Sequence, residues 1–105
     1  MLRLSLILML LFASPVWADD GNFLYESCTD DTNEGRSYCV GYSSAILDLM
    51  GSGNVLYGWK ACISGNVTKD RIYDIVTQHL ALNPQDIHNG AESLVAWGLS
   101  EAFPC

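Results

Sequence analysis

The chain has 105 residues, with twelve Asp and Glu against five Lys and Arg, a formal net charge of −7, and half of all residues hydrophobic. That length allows one domain, and so acidic a surface repels nucleic acid and anionic lipid headgroups while favouring basic partners. Four cysteines without any C-x-x-C spacing, and only two histidines, point to disulfides and away from zinc.

The amino end reads as a bacterial export signal over residues 1–18. Arg3 supplies a positive start, Leu4 to Phe12 is an apolar run broken only by Ser5, and Val16-Trp17-Ala18 closes on compact residues where a signal peptidase cuts. The run is too short to span a bilayer, which takes about 20 residues. The exported part is therefore expected to be residues 19–105, a single domain beginning at Asp19, released into the periplasm without a membrane anchor. Loss of Arg3 leaves four basic residues against twelve acidic ones, a net charge of −8. In an oxidising compartment Cys28, Cys39, Cys62 and Cys105 are expected to form two disulfides, and the count alone leaves three pairings open.

Asn22 to Cys28 is expected to form a short helix of about two turns with Phe23 and Leu24 facing inward. Thr29 to Gly35 is a polar loop of turn residues. Its Asp30, Thr32, Glu34, Gly35 spacing is similar to a calcium loop. The twelfth position, however, is Gly41 instead of a bidentate Glu, so no calcium site is expected. Tyr38 to Met50 puts Tyr42, Ala45, Ile46, Leu49 and Met50 on one helical face, with Gly51 placed to end the helix. Gly51 to Gly65 is a glycine-rich connection that also carries Val55, Leu56, Tyr57 and Trp59, and ordered loops of that length are commonly functional.

Thr68 is a good N-cap for the next helix, with Val67 and Ile72 at the positions of a hydrophobic staple. Ile72, Ile75, Val76, His79 and Leu80 make its apolar stripe. Asn83-Pro84 ends that helix, and Pro84 with Asn83 as cap can start the last one over Gln85–Ala102. Ala91, Leu94, Val95, Leu99, Ala102 and Phe103 form the second stripe. The expected fold is all-α, a small disulfide-stapled bundle of about four helices. A short turn between the last two helices makes them antiparallel, which brings Cys105 beside Cys62 and leaves Cys28 and Cys39 across the first turn-around. Cys39–Cys62 is the competing pair. Loop closure by the favoured pairs contributes roughly 3 and 4 kcal/mol, comparable to the whole stability of a small domain.

Catalytic machinery does not stand out. The cysteines are accounted for as disulfides, and His79 lies on an apolar stripe as a structural histidine would. Ser43-Ser44 lacks a nucleophile elbow, and the glycines do not assemble a phosphate loop. No enzyme activity, cofactor or metal is expected. The loop residues Val55, Leu56, Tyr57, Trp59 and Lys60 are the candidate partner contacts, because Tyr and Trp are the usual interface anchors. The competing reading folds those rings back onto the core.

Cys39-Val40-Gly41-Tyr42, then Cys62 followed by Gly65-Asn66-Val67-Thr68, then a helix ending in Asn83-Pro84, then Leu94-Val95 and a closing Ala102-Phe103-Pro104-Cys105, resemble the Rap/Tai family. These are small periplasmic immunity proteins of bacterial type VI secretion systems. The chain departs from the family pattern at Ser43, at Cys62-Ile63-Ser64, which lacks a proline, and at Asn66. The resemblance implies a binding protein that neutralises a secreted peptidoglycan amidase by occluding its active-site cleft. The acidic balance leads us to expect no nucleic-acid partner, the lack of another long apolar segment no membrane contact once the signal is removed, and a homodimer stays open. The alternative is a periplasmic stress or chaperone-like helical protein without a dedicated effector.

Overall fold

The computed structural model describes residues 20–105, which form four α-helices and one 3-10 turn. The helices are α1 (Gly21–Thr29), α2 (Asn33–Gly51), α3 (Lys69–Leu82) and α4 (Ala91–Ala102), with the 3-10 turn at Pro84–Asp86. The expected signal, its cleavage point after Ala18 and Asp19 lie outside the described residues. The bundle is all-α and stapled by two disulfides, Cys28–Cys39 and Cys62–Cys105. These are the pairs that antiparallel helix geometry favours, and Cys39–Cys62 is not formed.

α1 starts with Asp20 accepting the Phe23 N–H at 3.2 Å, a side-chain cap for an otherwise orphaned helix donor. Leu24 and Cys28 point into the core. Phe23 does not face inward as expected; its ring is half exposed and meets Tyr38 edge-on at 5.1 Å.

The polar loop between the first two helices is shorter than expected, and α2 begins five residues earlier, at Asn33. Capping explains the difference. Asp30 Oδ1 accepts from both the N–H and the hydroxyl of Thr32, and Thr32 Oγ1 accepts from the Gly35 N–H at 3.0 Å. Glu34 in the first turn adds favourable charge at the positive end of the helix dipole. The turn residues of the loop are thus helix-starting residues.

The buried face of α2 is also rotated from the expected one. Cys39, Val40, Ser43, Ile46, Leu47 and Met50 are buried, whereas Ala45 and Leu49 are exposed. The disulfide to Cys28 fixes Cys39 inward, and residues four, seven, eight and eleven positions beyond it must then share that face. Ser43, which hydropathy would send outward, is carried in with them, and its hydroxyl lacks a hydrogen-bond partner among the described residues. α2 ends in a Schellman motif centred on Gly53, not on Gly51. Gly53, at φ +95°, donates to Met50 O at 3.0 Å, and the Asn54 N–H donates to Leu49 O at 3.3 Å.

α3 follows its expected stripe, with Ile72, Val76, His79 and Leu80 buried and Thr68 Oγ1 accepting the Arg71 N–H at 3.2 Å. The last helix is shorter than expected, starting at Ala91 instead of Gln85. Residues 84–90 are spent as turns that dock on the start of α1, with the Gly21 N–H donating to Asn89 O at 2.9 Å. A side chain at Gly21 would collide with the carbonyl of Ile87 and with Leu94. That contact is possible because Gly21 has no Cβ.

α1, α2, α3 and α4 enclose one core built around Leu24, Met50, Leu80 and Leu99. Phe103, just beyond α4, closes its lower end with the Arg71 guanidinium 5.0 Å above its ring. Cross-links at the surface are weaker. Arg36 pairs with Asp70 at 2.6 Å and lies 4.1 Å over Tyr73; an exposed ion pair of this kind contributes less than about 1 kcal/mol. Among the described residues no helix is long and apolar enough to cross a membrane.

Candidate partner-binding surface

The segment between α2 and α3 is anchored to the core and yet presents aromatic side chains outward. Leu56 and Trp59 exchange both backbone hydrogen bonds, at 3.0 and 2.8 Å, and so form a minimal antiparallel pair. Tyr57 and Gly58 between them both have positive φ, +52° and +83°. Two positive φ values in a two-residue connection are the signature of a type I′ hairpin turn. Gly58 fits without cost, but Tyr57 carries a Cβ into the left-handed region, where few residues other than Gly, Asn and Asp sit easily.

Tyr57 is 65% exposed at the hairpin tip, and its hydroxyl donates to Glu92 Oε2 at 2.7 Å across to α4. That hydrogen bond, with the carboxylate charge behind it, raises the phenol above its ordinary pKa of 10.0, so Tyr57 stays a donor. Trp59 is 37% exposed and stacks on Trp97 of α4. Trp97 in turn donates from Nε1 to Glu101 Oε1 at 2.9 Å and sits edge-on to His79 with ring centroids 4.5 Å apart. Val55 and Lys60 are exposed at the two ends of the hairpin, and Leu56 is the member that faces the core.

The reading that folds this loop back onto the core therefore holds only in part. Leu56 folds back, Trp59 is shared between a stack and solvent, and Val55, Tyr57 and Lys60 face outward. The sequence singled out the hairpin but not its support on α4. Glu92, Trp97 and Glu101 come from the last helix, and the Tyr57–Glu92 bond spans 35 residues. The spacing of Trp97 and Glu101 at i, i+4 was the one local signal, since such pairs face each other on a helix.

His79 anchors the underside of this surface. It is 7% exposed, its Nδ1 lies 3.9 Å from Glu101 Oε2, and the Asn83 amide donates to its backbone carbonyl at 2.8 Å. Burial lowers its pKa below the ordinary 6.5, while the charges of Glu101 and Asp86 pull the other way. Gly98 lets α4 approach the imidazole closely. A depression of about 240 Å³ beside it is lined by Ile75, Leu82, Glu101 and Ala102.

A second, wider groove of about 630 Å³ runs between the end of α2 and the start of α3, past Ser44, Leu47, Asp48, Ile63 and Lys69. Its two serine hydroxyls, Ser44 and Ser52, have neither His79 nor His88 in that lining. Among the described residues no three His, Cys, Asp or Glu side chains are grouped to hold a metal ion. The arrangement suits recognition: a braced aromatic hairpin on a stapled bundle.

The family model of Rap1a immunity proteins matches residues 20–105. The chain belongs to this family. No curated protein and no solved structure matches it. Placed on this Rap1a fold, the residues that carried the resemblance do structural work. Cys39 is bonded to Cys28 and Cys105 to Cys62, Phe103 closes the core, and Thr68 caps α3. The hairpin Leu56–Trp59 lies outside those motifs. Motif residues hold the Rap1a scaffold.

Proposed function

We propose that this Rap1a family member is a periplasmic immunity protein that binds a type VI secreted peptidoglycan amidase and occludes its active-site cleft. The observation that carries this reading is the family match across residues 20–105. The hairpin supports it: Val55, Tyr57, Trp59 and Lys60 are exposed on a turn that Leu56 ties to the core, and this preformed aromatic surface suits contact with the rim of a cleft. Bracing by Glu92 and Trp97 fixes that surface before binding, which reduces the ordering cost of association. The acidic surface speeds encounter with a basic effector.

Under this reading residues 1–18 are the cleaved export signal and residues 19–105 the domain that acts in the periplasm. Intact-mass measurement of the exported protein should give a chain starting at Asp19. Retention of residues 1–18 would remove the periplasmic assignment. The functional test pairs the purified protein with an amidase encoded beside its gene, measuring binding by calorimetry and peptidoglycan hydrolysis with and without it. Stoichiometric binding that abolishes hydrolysis is expected. Binding that leaves hydrolysis intact would refute occlusion, and absence of binding would refute the amidase as target.

A further inference from the structure

We propose that Cys62–Cys105 is a thiol–disulfide exchange site, opened in the folded protein by a dithiol reductant while Cys28–Cys39 stays closed, and that opening frees the hairpin carrying Tyr57 and Trp59. This goes beyond the inhibitory reading and does not depend on it.

The two bonds have opposite surroundings. Cys28 and Cys39 are both 0% exposed, within the core beside Leu24 and Met50, and the Tyr73 hydroxyl donates to the Cys28 carbonyl above them. Cys62 and Cys105 are both exposed. Exchange requires a thiolate to reach a sulfur, so access separates the rates before any other factor.

The bonds also differ in what else holds their ends together. Cys28 ends in α1 and Cys39 in α2, two helices that pack along their length. Cys62 lies in the irregular stretch between α2 and α3, and Cys105 lies beyond α4. Apart from the disulfide, this stretch is held by the Cys62 N–H donating to Phe103 O at 2.9 Å, by buried Ala61 and partly buried Leu56, Ile63 and Val67 against the core, by the Trp59–Trp97 stack and by the Tyr57–Glu92 bond. Leu56, Ala61, Ile63 and Val67 reach the core, while the hydrogen bond from Tyr57 and the Trp59 stack, which hold the hairpin tip to α4, lie at the surface. Opening the outer bond leaves the four helices packed and lets the hairpin leave α4.

The chemistry balances with a dithiol as the only co-reactant. Its thiolate attacks one sulfur of the pair, forms a mixed disulfide and expels the other sulfur, which takes up a proton. The second thiol of the reductant attacks the mixed bond and releases the first cysteine. Two electrons pass to the protein, leaving Cys62 and Cys105 as thiols and the reductant as a disulfide.

The test treats the oxidised, purified protein with dithiothreitol under native conditions, traps thiols with iodoacetamide at intervals and maps the tryptic peptides. Cleavage after Arg36, Lys60, Lys69 and Arg71 puts each cysteine in a different peptide. Cys62 and Cys105 should be alkylated at least tenfold faster than Cys28 and Cys39. Helical circular dichroism should persist while cleavage after Lys60 accelerates and indole emission shifts. Equal alkylation rates, loss of helical signal together with the outer bond, or unchanged cleavage after Lys60 would each overturn the proposal. A double variant, Cys62→Ser with Cys105→Ser, should reproduce the opened state with its helices intact. If that variant fails to fold, the bond is a staple of the whole domain and the proposal falls.

Discussion

Trp59 of the hairpin and Trp97 of α4 stack with ring centroids 5.9 Å apart and planes 18° from parallel. One face of Trp59 is therefore committed to the scaffold while the other is offered to solvent. Through Trp97 the hairpin is also in contact with His79 and Glu101. The hairpin and α4 are mechanically one unit, and substitutions at either should be read on both stability and binding.

Trp59→Ala removes the outer half of the stack. Aromatic pairs contribute about 0.5–1.5 kcal/mol beyond area burial, so a drop in melting temperature of several degrees is expected, without unfolding. Under the proposed function, binding to the amidase should weaken by about 2 kcal/mol, roughly thirtyfold. Calorimetric titration beside a thermal melt separates the two. Collapse of the fold would make Trp59 a core residue and move the interface elsewhere.

Tyr57→Asn places a residue that tolerates positive φ at the first turn position, next to Gly58, giving the Asn-Gly pair that type I′ turns favour. It also deletes the hydroxyl that reaches Glu92. The melting temperature should hold or rise while affinity for the proposed amidase partner falls about tenfold. A large loss of stability would show that the Glu92 bond outweighs the backbone strain.

His79 gives the stability a defined pH dependence. Its pKa is lowered from 6.5 by burial, with Glu101 and Asp86 opposing. The unfolded chain therefore takes up the proton first as pH falls. The contribution is full above about pH 6.5 and is lost progressively as pH falls through the folded-state value. Melting temperatures of the wild type should decline as pH falls below about 6.5, and His79→Gln should flatten that part of the profile. Parallel profiles for the two proteins would exclude His79 as the source.

Gly98→Ala tests the contact between α3 and α4. The added Cβ would lie 2.8 Å from His79 Cγ and 3.0 Å from Cδ2, closer than atoms of a packed interior approach. The ring must shift against Trp97 or the helices must part, at a cost of about 1–3 kcal/mol. Thermal denaturation measures it. An unchanged midpoint would mean that the imidazole has room to move.

The sequence was most legible where a residue's own chemistry decides the outcome. Thr68 caps α3, Ile72, Val76 and Leu80 line its inner face, and Asn83-Pro84 ends it. It was least legible where a distant partner decides. The face of α2 follows from the bond between Cys39 and Cys28, which overrides the hydropathy of Leu49 and Ser43. The late start of α4 follows from the docking of Asn89 on Gly21. For the candidate surface, Tyr57 and Trp59 stood out as aromatics in a glycine-rich loop. Their positive-φ turn and their seats on Glu92 and Trp97 had no local signature beyond Gly58.

The two disulfides join the cysteines in the order in which they occur, first with second and third with fourth, so the covalent rings neither overlap nor enclose one another. In a chain that crosses a membrane amino end first, Cys28 meets Cys39 before Cys62 has emerged, and Cys62 then has only Cys105 left to meet. An oxidase acting on thiols as they appear produces the native connectivity directly. Under the proposed export, the slow isomerisation that corrects crossed pairings would have no work to do, and maturation would need an oxidant but no disulfide isomerase.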